Sequence, residues 1–267
     1  GLDAGARAGL EAAVVAGTPL PPPPAPVPLD ALRMDPYGPG AEAFGVLRRL
    51  LETRDFDGVL AALKAADLRG MGGAGFPAAI KWDTVRKATV EPKYVVCNAD
   101  ESEPGTIKDR GILRSAPHLL VEGMVVAGLV TGARHGIVYL RHEYEPERDV
   151  LAAAIAAARR DGVLGTSVLG SGMAFDLEIF TSPGGYICGE ETALLEALEG
   201  KRAQPRLKPS LPVVSGLFGK PTVINNVETL AYVPVILARG ADWWRAQGVN
   251  GCAGLKVVGV SGHVRRP

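Results

Sequence analysis

The sequence predicts an α/β fold, a Rossmann-like and mostly parallel sheet with helices on both faces, preceded by helices and a proline-rich arm. Two observations carry that reading. Apolar runs of strand length, Lys93 to Cys97, Gly136 to Arg141 and Ala174 to Phe180, alternate with helical patterns at the spacing of crossover connections. Hydrophobic residues are 47% of the 267, ample for a core on both sides of a sheet.

In chain order, Gly1 to Ala16 is alanine-rich and a marginal helix former. Seven prolines between Gly17 and Pro28 keep the next stretch extended, so residues 1–34 read as an arm or linker. Ala41 to Glu52 and Asp57 to Ala66 follow as amphipathic helices. In the second, Val59, Leu60, Leu63 and Ala66 repeat at three and four residues. A third helix starts near Pro77, where proline is tolerated, and runs to Lys87. After the first strand, Pro117 opens a helix to Thr131 and Pro146 one to Arg160, with Gly162 beyond as a stop. Glu190 and Glu191 open another, closed by Gly200, and complement its dipole. Asn225 and Glu228 have the spacing of a capping box for a last helix to Arg239. The α/β domain spans 35–254, and Leu255 to Val260 reads as a strand entering something the chain does not finish. The missing initiator methionine likewise gives the amino end a cut look.

Bulk properties exclude several functions. Twenty-nine basic and 29 acidic residues cancel, leaving no field to attract nucleic acid or an anionic membrane. Cys97, Cys188 and Cys252 lie far apart, with neither a disulfide framework nor a local metal spacing, which fits a reducing cytoplasm. The longest apolar run, Leu119 to Val130, is short of the ~18–20 residues of a membrane span and is broken by Glu122. Direct membrane insertion and a secretory signal are therefore not expected. His118, His135, His142 and His263 fall outside every polar cluster, so hydrolytic or metal chemistry has little support.

Four stretches carry the chemistry. RGMGGAGFPAAIKW (Arg69 to Trp82) holds glycines whose N–H groups can face phosphate, followed by Lys81. Gly70, Gly72 and Gly75 satisfy G-x-G-x-x-G, but the loop joins two helices and lacks the ending of a Walker loop, so neither a dinucleotide turn nor an ATPase loop is indicated. Asn98, Asp100, Glu101 and Glu103 sit directly on the exit of the first strand, where open α/β sheets place ligands. SPGGYICGE (Ser182 to Glu190) brings glycines and a tyrosine to a helix start. Lys201 to Lys208 is basic, compatible with a phosphate or with plain solvation.

Together, RGMGGAGFPAAIKW, CNADESEPGTIKDR (Cys97 to Arg110), SPGGYICGEETALLEALEG (Ser182 to Gly200) and RLKPSLPVVSGLFGKPTVINNVETL (Arg206 to Leu230) resemble the flavin-bearing NADH-oxidising subunit of respiratory complex I. The resemblance extends to diaphorase subunits of NAD-dependent formate dehydrogenases and NAD-reducing hydrogenases, and covers Asp35 to Pro267. It implies FMN lined by Gly70, Gly72, Gly73, Lys81, Asn98, Asp100, Glu101, Ser102, Tyr186, Gly189, Glu190, Ile224, Asn225, Asn226 and Thr229. NADH would face Phe76, Glu103, Glu191 and Lys208. It further implies hydride exchange between NAD(H) and FMN, with single electrons passed to iron–sulfur subunits of a larger complex, a thioredoxin-like [2Fe–2S] subunit or domain among them. Such a complex would be cytoplasmic, or peripheral on the cytoplasmic membrane face.

Residues 255–267 would begin a ubiquitin-like ligand-binding domain. A [4Fe–4S] cluster would lie beyond it or in a partner, and this chain would not ligate it. Three positions depart from the family pattern: Thr84 and Leu211 stand where aromatics usually frame the adenine, and Met71 replaces a loop arginine. They leave open a non-catalytic scaffold that has lost dinucleotide binding, beside the formate dehydrogenase and hydrogenase alternatives.

Overall fold

Four strands, β1 (Tyr94–Ala99), β2 (His135–Leu140), β3 (Asp176–Thr181) and β4 (Thr222–Asn226), pair in parallel in the order β3-β2-β1-β4. The computed structural model describes residues 12, 15–16, 35–37, 43–207 and 211–260. The proline-rich arm, Lys208 and His263 lie outside them, as does all but a few residues of the amino-terminal stretch.

Helices α1 (Gly45–Thr53), α2 (Phe56–Ala65) and α3 (Ala78–Lys87) precede the sheet. Asp55 caps α2 by accepting the Gly58 N–H at 2.8 Å, leaving Val59 and Leu63 on its buried face. Between β1 and β2 run α4 (Lys108–Ser115) and α5 (Pro117–Thr131), and α6 (Glu145–Arg160) links β2 to β3. The chain continues through α7 (Glu191–Leu198), α8 (Pro212–Ser215), β4, α9 (Val227–Arg239) and α10 (Ala241–Ala246).

The period of two along each strand divides the core. Val95, Cys97, Val138, Leu140, Leu177 and Val223 join one buried cluster with α2, α3, α5, α6 and α9. Val96, Ile137, Tyr139 and Ile224 join a second with Leu194, Leu195 and Ala197 of α7. Both faces are therefore covered, as the near-continuous apolar strands require. Every residue of α5 from Leu119 to Thr131 is buried, so its all-round apolarity marks a central helix. Among the described residues no single helix is long and apolar enough to cross a membrane; α4 and α5 pass that test only as a pair bent by 96°.

Two expectations are corrected. β4 is a strand that the sequence does not announce, because a five-residue segment ending in two asparagines lacks an apolar signature. Leu255 to Val260 forms no strand. Its Val257 N–H donates to the Glu228 carboxylate at 2.8 Å instead of joining a sheet ladder.

Glu122 is a wholly buried carboxylate inside α5. Tyr37 Oη donates to it at 2.7 Å and the Leu47 N–H at 2.9 Å, so it serves α1, whose own Phe44 cap offers no side-chain acceptor. Burial pushes its carboxyl up to about 7, against the opposing hydrogen bonds from Tyr37 and the backbone. Between its ordinary value and about 7 the folded chain keeps a proton that the unfolded chain has released. Stability therefore falls as pH rises through that window, by up to about 3 kcal/mol from this group. Glu122→Gln is expected to flatten the decline, measured as urea unfolding free energy between pH 5 and 7.

Candidate functional site

The strand order reverses at β1: the chain proceeds outward through β2 and β3, then returns to place β4 on the other side. A crevice opens at such a switch point, outside the carboxyl ends of the two diverging strands. Here Asn98 lies opposite Asn226 in the register, and a cleft of about 630 Å³ opens beyond them.

One wall is the glycine loop. An Arg69–Pro77 bridge and the Gly70 N–H, which donates to Phe76 O at 2.9 Å, close its base. The Met71 N–H donates to Thr229 Oγ1 at 2.8 Å and ties the loop to α9. Gly73 has φ +113°, a conformation that disfavours any Cβ. Gly72 and Gly73 are exposed and line the cleft, and their N–H groups donate to no acceptor among the described residues.

The exit of β1 forms the floor. Asn98 accepts the Asp100 N–H at 3.2 Å and donates to Gly189 O at 2.8 Å. Asp100 is buried and accepts from Ser182 Oγ at 2.6 Å and from Ser102. Gly189 must be glycine, since a Cβ there would stand 2.8 Å from Asp100 O. Glu101 points away from solvent: its carboxylate accepts the N–H groups of Asp109 (3.0 Å) and Arg110 (3.2 Å) and the Tyr144 hydroxyl (2.9 Å). It thus caps α4. Glu190 does the same for α7, accepting Thr192 N–H at 2.9 Å and Ala193 N–H at 2.8 Å. It is the cap of that helix, one position before the first turn expected of it. Across the mouth, Tyr186 Oη donates to Glu103 at 2.6 Å, and both side chains are exposed.

The asparagine pair is shifted by one residue from the expected capping box. Because β4 runs through Asn226, that residue caps α9: its Oδ1 accepts the Glu228 N–H at 3.0 Å. Asn225 is buried and accepts from Trp82 Nε1 at 2.8 Å. Ile224 and Thr229 are buried as well, so Thr229 reaches the cleft through its bond to Met71. Lys81 stands beside the cleft, donating to Ile224 O at 3.1 Å, 3.5 Å from Glu191 and 5.9 Å from the Phe76 ring centre. Phe76 and Leu211 are about half exposed, and Thr84 Oγ1 turns back onto Ile80 O.

Lys108 and Asp109 line the cleft, and sequence reasoning passes over both. Lys108 Nζ lies 2.6 Å from Asp109, 2.9 Å from Asn226 Oδ1 and 3.1 Å from Glu228; Asn226 Nδ2 donates to Asp109 at 2.5 Å. Burial pushes the Asp109 carboxyl up to about 7, Lys108 opposing and Glu101 adding to the rise. The available signal is position, since a Lys-Asp pair closes the CNADESEPGTIKDR stretch. Among the described residues no group of three or more His, Cys, Asp or Glu side chains is placed to hold a metal.

Residues 63–235 match the Nuo51 FMN-binding domain family. The chain is 51% identical over 224 residues to an NADH-quinone oxidoreductase F-subunit of Rhizobium meliloti (strain 1021), covering 84% of this chain and 53% of that one. It is 52% identical over 205 residues to the NADH-quinone oxidoreductase F-subunit of Aquifex aeolicus (strain VF5), covering 75% and 47%. The fold superposes on a chain of an NAD+-reducing [NiFe]-hydrogenase in the H2-reduced state with a TM-score of 0.74 and 38% identity, covering 95% of this chain and 44% of the other. The chain spans about half the length of the curated relatives it matches.

Proposed function

The chain belongs to the Nuo51 FMN-binding domain family, and from that premise we propose that it is the module that exchanges hydride between NAD(H) and FMN in a larger electron-transfer complex. The observation that carries the reading is the cleft at the β1/β4 switch point, edged by unpartnered glycine N–H groups and floored by oriented amides. Its residues suit FMN. Backbone donors at Gly72 and Gly73 meet a phosphate without a rotamer to freeze, and a cleft of about 630 Å³ takes a ligand of that class. Asn98 and Asn226 have both ends of their amides set by neighbours, so each presents a fixed donor edge to a polar ring. The chemistry supplied by bound FMN is acceptance of a hydride and release of electrons one at a time.

The remaining residues serve the dinucleotide. Phe76 offers a half-exposed ring for stacking, and Glu103 an exposed carboxylate suited to a ribose diol. Glu191, whose carboxylate lies 3.5 Å from Lys81 of the FMN side, adjoins them, and Lys208 belongs to the dinucleotide group by its place in the motif. The partners we propose are iron–sulfur subunits, with a thioredoxin-like [2Fe–2S] subunit or domain receiving the electrons. Both the NADH-quinone oxidoreductase and the NAD+-reducing hydrogenase settings fit the relatives.

An anaerobic titration of the FMN-loaded chain with NADH tests the reading. Bleaching of the flavin band at stoichiometric NADH is expected; bound flavin that stays oxidised would favour a scaffold without dinucleotide binding. Glu103→Gln is expected to lower the preference for NADH over NADPH roughly tenfold or more, because the carboxylate repels a 2′-phosphate and the amide does not. The ratio of kcat/KM values for the two dinucleotides measures it.

A further inference from the structure

Lys108 occupies a costly position. It is the first residue of α4, where the helix dipole disfavours a cation, and its side chain is only 14% exposed. Capping does not explain it, because Glu101 already accepts the N–H groups of Asp109 and Arg110. Two still more buried carboxylates, Asp109 and Glu228, hold the ammonium where the flavin cleft meets a second cavity of about 430 Å³ under the glycine loop. The same ammonium donates to Asn226 Oδ1, which lines the cleft.

We propose that Lys108 is the counter-charge of the cleft, a positioning residue whose ammonium, clamped by Asp109, Glu228 and Asn226, stabilises negative charge on the bound flavin. The assignment rests on the proposed function. The charge has two sources on such a ligand, its phosphate and its reduced ring, and riboflavin separates them because it lacks the first. A buried cation close to either is only weakly screened by solvent.

The test uses the full chain and three variants. Lys108→Arg keeps the charge, Lys108→Met removes it, and Lys108→Met with Asp109→Asn removes it while keeping the local net charge of the wild type, with Glu228 still in place, should the single variant fail to fold. Dissociation constants for oxidised FMN and riboflavin, and for their reduced forms from redox titration, are measured on proteins with matching circular dichroism. For the two variants that lack the ammonium, one expected result is a preference for FMN over riboflavin reduced at least about tenfold, which places the charge at the phosphate. The other is an unchanged preference with a similar loss of affinity for the reduced forms alone, which places it at the ring. Lys108→Arg is expected to keep most of the wild-type preference and affinity. Unchanged affinities for both flavins in both redox states would overturn the assignment. A wild-type chain that binds neither flavin would overturn the proposed function first, and this assignment with it.

Discussion

Gly73→Val is expected to leave the fold intact and to weaken FMN binding by roughly a hundredfold. At φ +113° a β-branched residue is strained by about 1–2 kcal/mol or more, so the turn relaxes toward negative φ. A Cβ built on Gly73 meets nothing within 4 Å, and the loop is exposed, so no packing is lost. What changes is the direction of the Gly73 and Ala74 N–H groups and the space above them, which the valine side chain enters. Two hydrogen bonds to a charged phosphate at about 1.5–3 kcal/mol each exceed the ~2.7 kcal/mol that a hundredfold requires. Gly162→Ala is the control: its φ is +72°, its Cβ also meets nothing, and it lies beyond α6, away from the cleft. It is expected to carry the backbone strain without the binding loss. A Gly73→Val protein that titrates with FMN like the wild type would remove the glycine turn from the phosphate site.

Much of this arrangement is legible in the residues alone, and the parts that are not share a cause. β1 and β2 show as apolar runs because both sheet faces are covered there, whereas β3, at the sheet edge, shows by alternation, with Leu177 its one buried residue. The glycine loop reads as a connection between two helices, and is one, since the spacing of Val59, Leu63 and Ala66 predicts α2. β4 escapes because its last two residues are asparagines used at the sheet end, one bonded to Trp82 and the other to α9. The capping box slips by one residue for the same reason: pattern alone cannot say whether Asn225 or Asn226 ends the strand. Glu101 and Glu190 read as ligand groups from their place on a strand exit and a loop. The structure adds a helix-capping role to each: Glu101 holds helix N–H groups with both oxygens and Glu190 with Oε2, while both residues line the cleft. Beyond its place near the end of the CNADESEPGTIKDR stretch, Lys108 is unmarked in sequence because its importance lies in burial and in partners more than a hundred residues away.

Gly123→Ala is expected to lower the unfolding free energy by about 3 kcal/mol. Helices α5 and α9 cross at this point, and α5 is the buried helix against which β1 and β2 pack. A Cβ on Gly123 would stand 2.1 Å from Leu230 O and 2.8 Å from Leu230 C. Both are backbone atoms, so no rotamer change relieves the clash, and the helices must separate along their shared length. That separation thins contacts around Met124, Val126, Ala231 and Tyr232, all of them fully buried. Gly111→Ala isolates the cause. Gly111 lies inside α4, a Cβ there meets nothing within 4 Å, and removing a helical glycine should stabilise by roughly 0.5–1 kcal/mol. Opposite signs in urea unfolding at the two sites would show that steric closeness at the α5–α9 crossing, and not glycine content, limits stability. Because α9 also carries Thr229, which anchors the glycine loop through Met71, the Gly123 variant should lose FMN affinity as well. Equal stabilisation by both substitutions would mean that the two helices pack less closely than this crossing requires.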